Sequence, residues 1–406
     1  MILAILGGGA SGMMAALAAS QNPSCEIHIF ERQNRVGRKL LATGNGRCNL
    51  SNSHAAPGRY YGADPDFVAP AFRHMDFEKT MAFFERLGLS IVEEESGRVY
   101  PWSDQAGSVV DVLRFALDKE NIILHTGREV SKVKKAEGGF RLESREESFF
   151  CHRMIVACGG LAGTALGGSM SGYQILRSLG HKCSRLRPAL VQLKSGYPRC
   201  ASLKGVRAVC ALELRFNGKA LLQNRGEVQF TQYGLSGPAI FEISRHVCTE
   251  PGTWECALDV LPEKTEQEIL AHLHARQEQC PGLEAAELLT GTVHNRLGKV
   301  LVQEAGISLN APMETLSSGE LKCLAQLCKN YIFSITEPMG MDSAQVTAGG
   351  ILTADFDPNT VESRLCPGLF ACGEVLDIDG DCGGFNLQWA WSSGHLAGCA
   401  AGEVAL

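Results

Sequence analysis

The N-terminal stretch of the chain constrains the fold more than any other part of it. Residues 1–6 (MILAIL) form an unbroken apolar run, which predicts a strand buried on both faces. The glycine-rich turn 7–12 (GGGASG), the helix-forming segment 13–20 and a second apolar run, 26–30, which ends in Glu31, then follow in order. This order of strand, glycine turn, helix, strand and acid predicts a βαβ unit that binds a dinucleotide.

Each glycine of that turn has a physical role. Gly7 permits the tight turn after the strand, Gly9 lets the backbone approach a pyrophosphate, and Gly12 lets the helix lie close to the sheet. The helix N-terminus offers unpaired N–H groups to phosphates, and Glu31 is placed to accept hydrogen bonds from a ribose diol. An ordinary glycine-rich turn is the alternative. The unit alone does not distinguish FAD from NAD.

Composition limits the classes of protein and partner. A chain of 406 residues is long enough for about two or three domains, and 45% hydrophobic with 20% charged residues is ordinary for a soluble globular protein. A net charge of −6 argues against a nucleic-acid or anionic-membrane partner. No apolar run reaches the ~18 residues of a membrane span. The sequence therefore predicts a cytoplasmic protein with a small-molecule substrate.

The 16 cysteines are scattered, and no CxxC pair occurs. This pattern predicts small buried apolar residues in a reducing compartment, without a disulfide framework or a metal site. Cys48 lies in the polar loop 32–52, which is too rich in glycine, asparagine and basic residues to be a core element. Packing is the favoured role for Cys48, and a redox role is the alternative.

The rest of the chain divides into domains by its pattern of apolar, polar and turn-forming residues. Residues 97–104 (GRVYPWSD) indicate a turn-rich connection, and a buried strand at 153–157 ends near Gly159 and Gly160, at the strand end where ligands bind in open α/β sheets. The predicted domains are a Rossmann-like domain built from both chain ends (1–188 and 345–406), an inserted β-rich, barrel-like domain (189–262 and 331–344) and an inserted helical domain (263–330).

The C-terminal region favours FAD over NAD. A short apolar strand at 369–372 leads to Gly373 and Glu374, and Gly384 precedes a helix that begins near Asn386. A helix N-terminus at that place can hold the partial negative charge that develops at the N1–C2=O edge of a reduced flavin. Two glycine-rich segments, one near each end of the chain, that meet on one sheet indicate FAD, the larger of the two cofactors.

Several motifs resemble those of one known family. The matching segments are GGGASGMMAA (7–16), GRKLLATGNGRCNLSN (37–52), GRVYP (97–101), GEVQFTQYGLSGPAI (226–240), TAGGI (347–351) and GGFNLQWAWSSG (383–394). The chain resembles the BaiN-like (YhiN-type) flavoproteins, also described as aminoacetone-oxidase-like FAD enzymes or NAD(P)/FAD-dependent oxidoreductases. The resemblance implies the three-domain architecture above and non-covalently bound FAD.

By position, the resemblance also implies which residues contact the cofactor. The pyrophosphate would meet Ala10, Ser11 and Gly12, and the adenosine would meet Glu31, Arg32 and the backbone of Val130. The remaining expected contacts to the phosphates, the ribityl chain and the flavin ring come from Arg38, Lys39, Leu40, Thr43, Gly44, Asn45, Asn49, Glu374, Asn386, Leu387 and Gln388.

The expected function is that of an FAD-dependent oxidoreductase that exchanges a hydride between flavin N5 and an organic substrate. The resemblance favours reduction of an activated C=C bond in a 3-oxo-Δ4/Δ6 bile-acid or steroid-like substrate, and oxidation of a small amine such as aminoacetone with oxygen is the alternative. No second GxGxxG occurs, so NAD(P)H would bind only transiently as hydride donor. A non-catalytic flavin redox sensor, with residues 263–330 as docking surface, and an NAD-dependent dehydrogenase remain rivals. The sequence predicts neither a catalytic residue nor an oligomeric state.

Overall fold

The computed structural model describes residues 1–144, 147–247 and 249–405. In chain order the strands are β1 (Ile2–Leu6), β2 (Glu26–Glu31), β3 (Ser51–Asn52), β4 (Tyr60–Tyr61), β5 (Ile91–Glu93), β6 (Arg98–Pro101), β7 (Ile122–Thr126), β8 (Lys132–Ala136), β9 (Gly139–Glu143), β10 (Ser148–Cys151), β11 (Arg153–Val156), β12 (Arg187–Ala189), β13 (Leu193–Ser195), β14 (Arg207–Phe216), β15 (Lys219–Thr231), β16 (Gly234–Ser236), β17 (Trp254–Asp259), β18 (Tyr331–Pro338), β19 (Val346–Ala348), β20 (Leu369–Ala371) and β21 (Asp379–Gly380).

The helices, numbered in the same way, are α1 (Ala10–Ala19), α2 (Ala69–His74), α3 (Phe77–Arg86), α4 (Ala106–Ala116), α5 (Ser171–Ser178), α6 (Cys200–Leu203), α7 (Pro238–Ser244), α8 (Glu266–Gln279), α9 (Asn295–Glu304), α10 (Ser318–Lys329) and α11 (Phe385–Gly402). The described residues form two compact units, Met1–Pro188 with Ala344–Leu406, and Ala189–Ser343.

A parallel sheet in the order β20-β11-β1-β2-β7 is the centre of the first unit. Strand β1 is the middle strand, and its register runs from Ile2 opposite Glu26 to Leu6 opposite Phe30 of β2. Leu3 and Ala4, whose side chains point to opposite faces, have no exposed surface, as expected for an apolar strand covered on both faces. The predicted βαβ unit and the Rossmann-like fold class are therefore confirmed.

Helix α11 packs against α1 through a row of glycines spaced four residues apart. A Cβ added at any of them would collide with α1, because the two backbones lie unusually close. The nearest atoms to such a Cβ would be the Ser11 carbonyl oxygen at 2.4 Å for Gly394, the Ala15 carbonyl oxygen at 2.2 Å for Gly398 and the Ala19 Cα at 2.8 Å for Gly402. This close packing joins the two ends of the chain.

Smaller sheets surround the parallel sheet. Strands β8, β9 and β10 form an antiparallel meander, and β4 pairs with β21. The interpretation of residues 97–104 as a turn-rich connection is wrong for its first half, because β6 pairs with both β3 and β5. Val99, which is buried, supplies the apolar anchor for this strand.

The second unit contains a closed barrel in the order β13-β16-β15-β14-β17-β18, together with helices α8, α9 and α10. Thr265 and Ser317 begin α8 and α10 as capping boxes, each with a glutamate three residues on. One apolar core includes barrel residues such as Phe333 and helical residues such as Leu301. The separation of 263–330 as a domain of its own stays a prediction.

Candidate functional site

The candidate site lies where the carboxyl ends of β1, β2, β11 and β20 meet in the parallel sheet. A Cβ added at Gly7 would lie 2.4 Å from the Ala157 carbonyl oxygen, and one at Gly12 would lie 1.9 Å from the Gly7 carbonyl oxygen. At Gly9 nothing lies within 4 Å of that position. Gly7 and Gly12 therefore permit close packing within the protein, whereas Gly9 faces open space that a ligand can enter.

The first turn of α1 borders this open space. Gly9 is its N-cap, and no side chain accepts a hydrogen bond from the helix N-terminus. Ala10 is the first helical residue, and Ser11 is buried, with its hydroxyl near the backbone of Gly373. The free N–H groups and the positive end of the helix dipole suit a pyrophosphate.

Glu31 is held in place by two backbone N–H groups. Its Oε2 accepts from the Gly8 nitrogen and its Oε1 from the Gln33 nitrogen, both at 2.8 Å. Each carboxylate oxygen keeps acceptor capacity, so the pair of ribose hydroxyls expected here can be bound. The Arg128 nitrogen donates to the Glu31 carbonyl oxygen, and the nearby Val130 is buried. The segment expected to meet adenine thus lies beside Glu31.

Glu374 is the centre of a second group of polar contacts. Its Oε1 accepts from the Thr347 nitrogen at 2.9 Å, and its Oε2 pairs with Lys39 Nζ at 2.8 Å. A Cβ at Gly160 would lie 2.3 Å from Glu374 Oε1, so this close approach requires glycine. Gly159 and Gly373 both have the left-handed backbone that glycine adopts easily. The predicted Gly159–Gly160 turn, Lys39 and Glu374 are therefore brought together.

Thr347 is a site residue that the sequence prediction missed. Its hydroxyl oxygen accepts hydrogen bonds from the backbone nitrogens of Leu161 and Ala162, at 3.0 and 2.9 Å. The same residue donates its own backbone N–H to Glu374. Thr347 begins the TAGGI segment noted above, and that motif was the available signal.

The loop that follows β2 has an irregular backbone around its glycines. Gly44 has φ +57°, and the non-glycine residues Asn45 and Cys48 have φ +57° and +61°. Left-handed non-glycine residues cost free energy and concentrate at functional sites. Thr43 donates its hydroxyl to the Leu40 carbonyl oxygen at 2.7 Å, which tightens the turn. Leu40 itself is buried and anchors the loop.

Cys48 is fully buried in this loop. Burial raises the pKa of its thiol to about 12, so the group stays protonated at neutral pH. A protonated, inaccessible thiol is a poor nucleophile. These properties favour packing over a redox role.

Asn49 supplies an unsatisfied acceptor next to a helix N-terminus. Its Oδ1 is buried and has no hydrogen-bond partner, and it lies 2.9 Å from the position a Cβ would take on Gly384. Gly384 is the N-cap of α11, and no side chain caps this helix. An acceptor beside free N–H donors fits the pyrimidine edge of a flavin, which presents a donor at N3 and acceptors at O2 and N1.

Two of the expected residues on α11 use their side chains for hydrogen bonds within the protein. Gln388 is fully buried, and its amide bonds the Ser51 and Thr80 hydroxyls at 2.6 and 2.8 Å. Asn386 binds the backbone of Gly380 in both directions, at 2.9 and 2.8 Å. Leu387 is partly buried. Contacts from Asn386 and Gln388 to a cofactor would therefore come from their backbone.

The arginines expected at the cofactor are engaged within the protein. Arg32 donates to the carbonyl oxygens of Gly167 and Gly168, at 2.7 and 3.3 Å, and thereby secures the segment after β11. Arg38 donates to Gln33 Oε1 at 2.6 Å and is exposed. Contact of either guanidinium with phosphate stays a prediction.

The protein combines a Rossmann sheet, the uncapped N-termini of α1 and α11, and the irregular loop that follows β2. These features define it as an FAD-dependent oxidoreductase. The chain belongs to the HI0933-like family, because the model of the HI0933-like protein Rossmann domain matches residues 1–400. This match confirms the family resemblance. Among the described residues, no helix has both the length and the apolarity needed to cross a membrane.

Relatives of known activity match nearly the whole chain. The chain is 38% identical to the 3-dehydro-bile acid delta(4,6)-reductase of Clostridium scindens, over 99% of both chains. It is 30% identical to the ribosomal RNA dihydrouridine synthase of Escherichia coli, over 96% of this chain and 95% of that protein. The 3-ketosteroid delta1-dehydrogenase from Sterolibacterium denitrificans shares the fold, with a TM-score of 0.52, 10% identity and 99% coverage of both chains.

Proposed function

We propose that this protein reduces a C=C double bond conjugated to a carbonyl group, in a 3-oxo-Δ4/Δ6 bile-acid or steroid-like substrate, with NAD(P)H as the hydride donor. The observation that supports this proposal most directly is the 38% identity with the Clostridium scindens reductase over 99% of both chains. The glycines and polar groups of the FAD site lie on that shared length.

Bound FAD would supply the hydride chemistry at its N5 atom. The protein itself holds and polarises the cofactor. The N-terminus of α1 would offset negative charge on the phosphates, while Glu31 would orient the ribose. The N-terminus of α11 would lie at the flavin's pyrimidine edge and favour negative charge there, and Asn49 Oδ1 would accept a hydrogen bond from the same edge.

A second candidate is reduction of uridine in RNA. It is favoured by the 30% identity with the Escherichia coli dihydrouridine synthase over 96% of this chain. The two reactions share their chemistry, since the uracil C5=C6 bond, like a steroid Δ4 bond, is conjugated to a carbonyl group. The net charge of −6 favours the small substrate, because nucleic-acid binding draws on clustered positive charge.

Anaerobic stopped-flow absorbance of the flavin band tests the proposal. The FAD-loaded protein is reduced by NADH or NADPH, and then mixed with a 3-oxo-Δ4 steroid acid or a uridine-containing ribosomal RNA fragment. Reoxidation by the steroid alone is expected, with a product two hydrogens heavier by mass spectrometry. Reoxidation by the RNA alone would favour the second candidate.

Two further arms distinguish the remaining alternatives. Bleaching of the flavin by aminoacetone, reversed by air, would indicate an amine oxidase. Reduction by a nicotinamide without reoxidation by any of these acceptors would favour a redox sensor. Either result would contradict the proposed reductase activity.

A cytoplasmic location and a separate helical domain at 263–330 belong to the same proposal. All cysteines that the structure describes are free thiols, which suits a reducing compartment. Expression of a fluorescent fusion, followed by cell fractionation, tests the location.

A further inference from the structure

An open groove lies in the first unit, beside helix α5. Its volume is about 610 Å³, within the range of ~300–1,000 Å³ that is usual for small-molecule sites. Apolar and cationic side chains share the lining, with a hydroxyl and a thiol between them. The lining residues are Met170, Arg177, His181, Lys182, Cys183, Ser184, Leu186 and Leu352.

The segment that forms much of this groove is strongly basic. Residues 177–187 (RSLGHKCSRLR) contain Arg177, Lys182, Arg185 and Arg187 but no acid, in a chain whose net charge is −6. Within the part of the chain that the structure describes, none of these four side chains forms a hydrogen bond or an ion pair.

Three cations of the first unit, by contrast, are paired with acids. Lys39 binds Glu374, Arg59 binds Asp381, and Arg47 binds two carboxylates. Unpaired cations beside a partly apolar groove suit an anionic ligand, because arginine and lysine bind phosphate strongly when no acid competes for them. Two acids lie close enough to act on groove residues electrostatically, Asp377 on Cys183 and Asp355 on His181.

Hydrogen bonds connect the groove to the candidate FAD site. Ser184 and Gly350 bond each other, with the Gly350 nitrogen 2.9 Å from Ser184 Oγ. The next residue, Ile351, donates to the Val375 carbonyl oxygen at 2.9 Å. Val375 directly follows Glu374, so hydrogen bonds connect the groove lining to the segment that bears the group expected to hold the cofactor.

We propose that this groove binds the phosphates of the nicotinamide dinucleotide donor, with Arg177 and Lys182 as the cations that contact them. The inference rests on the proposed function, which requires such a donor. The sequence contains no second glycine-rich phosphate loop, so side-chain cations must neutralise the phosphates. The apolar members of the lining, Met170, Leu186 and Leu352, suit the rings of the nucleotide.

Calorimetric titration of the FAD-loaded, full-length protein with NADP⁺, and separately with NAD⁺, tests the proposal without turnover. The variant is R177A/K182A, and the matched control is R86A/K322A. The control removes the same charge from two exposed residues that lie outside the groove, on α3 and α10.

The groove variant is expected to bind NADP⁺ weaker by on the order of tenfold for each cation removed, since a charge-assisted hydrogen bond is lost at each. The control should bind as the wild-type protein does. A larger loss for NADP⁺ than for NAD⁺ would place the 2′-phosphate at these cations, whereas an equal loss would place the pyrophosphate there. FAD content and the flavin spectrum should not change.

Unchanged nucleotide affinity in R177A/K182A would overturn the proposal. So would normal nucleotide affinity together with a raised KM for a 3-oxo-Δ4 steroid acid, which would assign the cations to the substrate's carboxylate. Wild-type protein that binds NADP⁺ but reduces no enone would refute the proposed function alone. Protein that reduces the enone with dithionite as electron source, but binds neither nucleotide, would refute the groove assignment alone.

Discussion

Replacement of Gly398 by alanine tests the close packing of α11 on α1. The added Cβ would lie 2.2 Å from the Ala15 carbonyl oxygen, whereas an ordinary carbon–oxygen contact is about 3.4 Å, so the helices must separate by about 1 Å. Overpacking against an unyielding backbone costs about 3 kcal/mol, and the better helix propensity of alanine returns about 1 kcal/mol. The expected loss of unfolding free energy is therefore about 2 kcal/mol.

Urea denaturation of the apoprotein, followed by circular dichroism, measures this loss, and fluorescence titration measures FAD affinity in the same variant. FAD should bind more weakly, because the shift moves apart two helices whose N-termini border the cofactor site. The control is Gly107→Ala in α4, where nothing lies within 4 Å of the new Cβ. That variant should be more stable by up to about 1 kcal/mol.

The reasoning would be refuted if Gly398→Ala were as stable as wild type while Gly107→Ala showed its expected gain. Such a result would mean that α1 and α11 are not in backbone contact. Equal gains in both variants would lead to the same conclusion, since only helix propensity would then be at work.

Three further predictions concern individual polar side chains. Asn49→Leu should leave apoprotein stability unchanged or raised, because Asn49 Oδ1 has no partner, yet weaken FAD binding by on the order of tenfold in a flavin titration. Burial lowers the pKa of His181 from its ordinary value of 6.5. The free energy of unfolding contributed by the neutral imidazole should therefore be fully present above pH 6.5 and decline as the pH falls below it. Denaturation of His181→Gln should show a smaller decline. Ellman's reagent should react with the exposed Cys323 of the native protein, and this reaction should be absent in Cys323→Ser. Cys48 should react only after the protein is unfolded.

The N-terminal βαβ unit could be predicted because its signals are contiguous. Strand, turn, helix and acid follow each other from β1 to Glu31, and the hydrogen bonds that define them are local or between neighbouring strands. Local chemistry alone determines such features.

The far side of the candidate site could not be derived in the same way. The approach of Gly384 to Asn49 joins residues more than 300 positions apart, and only the family resemblance indicated that both belong to one site. Gln388 shows the limit of position-based inference. It lies in a segment that matches the family motif, yet its amide is bonded to Ser51 and Thr80 in the interior.

Strand β6 and Thr347 show a second limit. The proline and glycine of GRVYPWSD indicate a turn, but pairing with β3 and β5 on both sides extends the backbone there. The role of Thr347 depends on N–H groups of Leu161 and Ala162, which lie far from it in sequence. Tertiary partners determined both outcomes.

The central sheet also dictates the order of events during synthesis. Strand β20 and helix α11 leave the ribosome after the whole of residues 189–343, although they pack against β11 and α1 from the first half of the chain. Until then the nascent first unit has an unpaired sheet edge and an uncovered helix face, while the second unit can already close its barrel. A nascent chain without α11 lacks the helix N-terminus at Gly384, so we expect the candidate cofactor site to be completed late in synthesis.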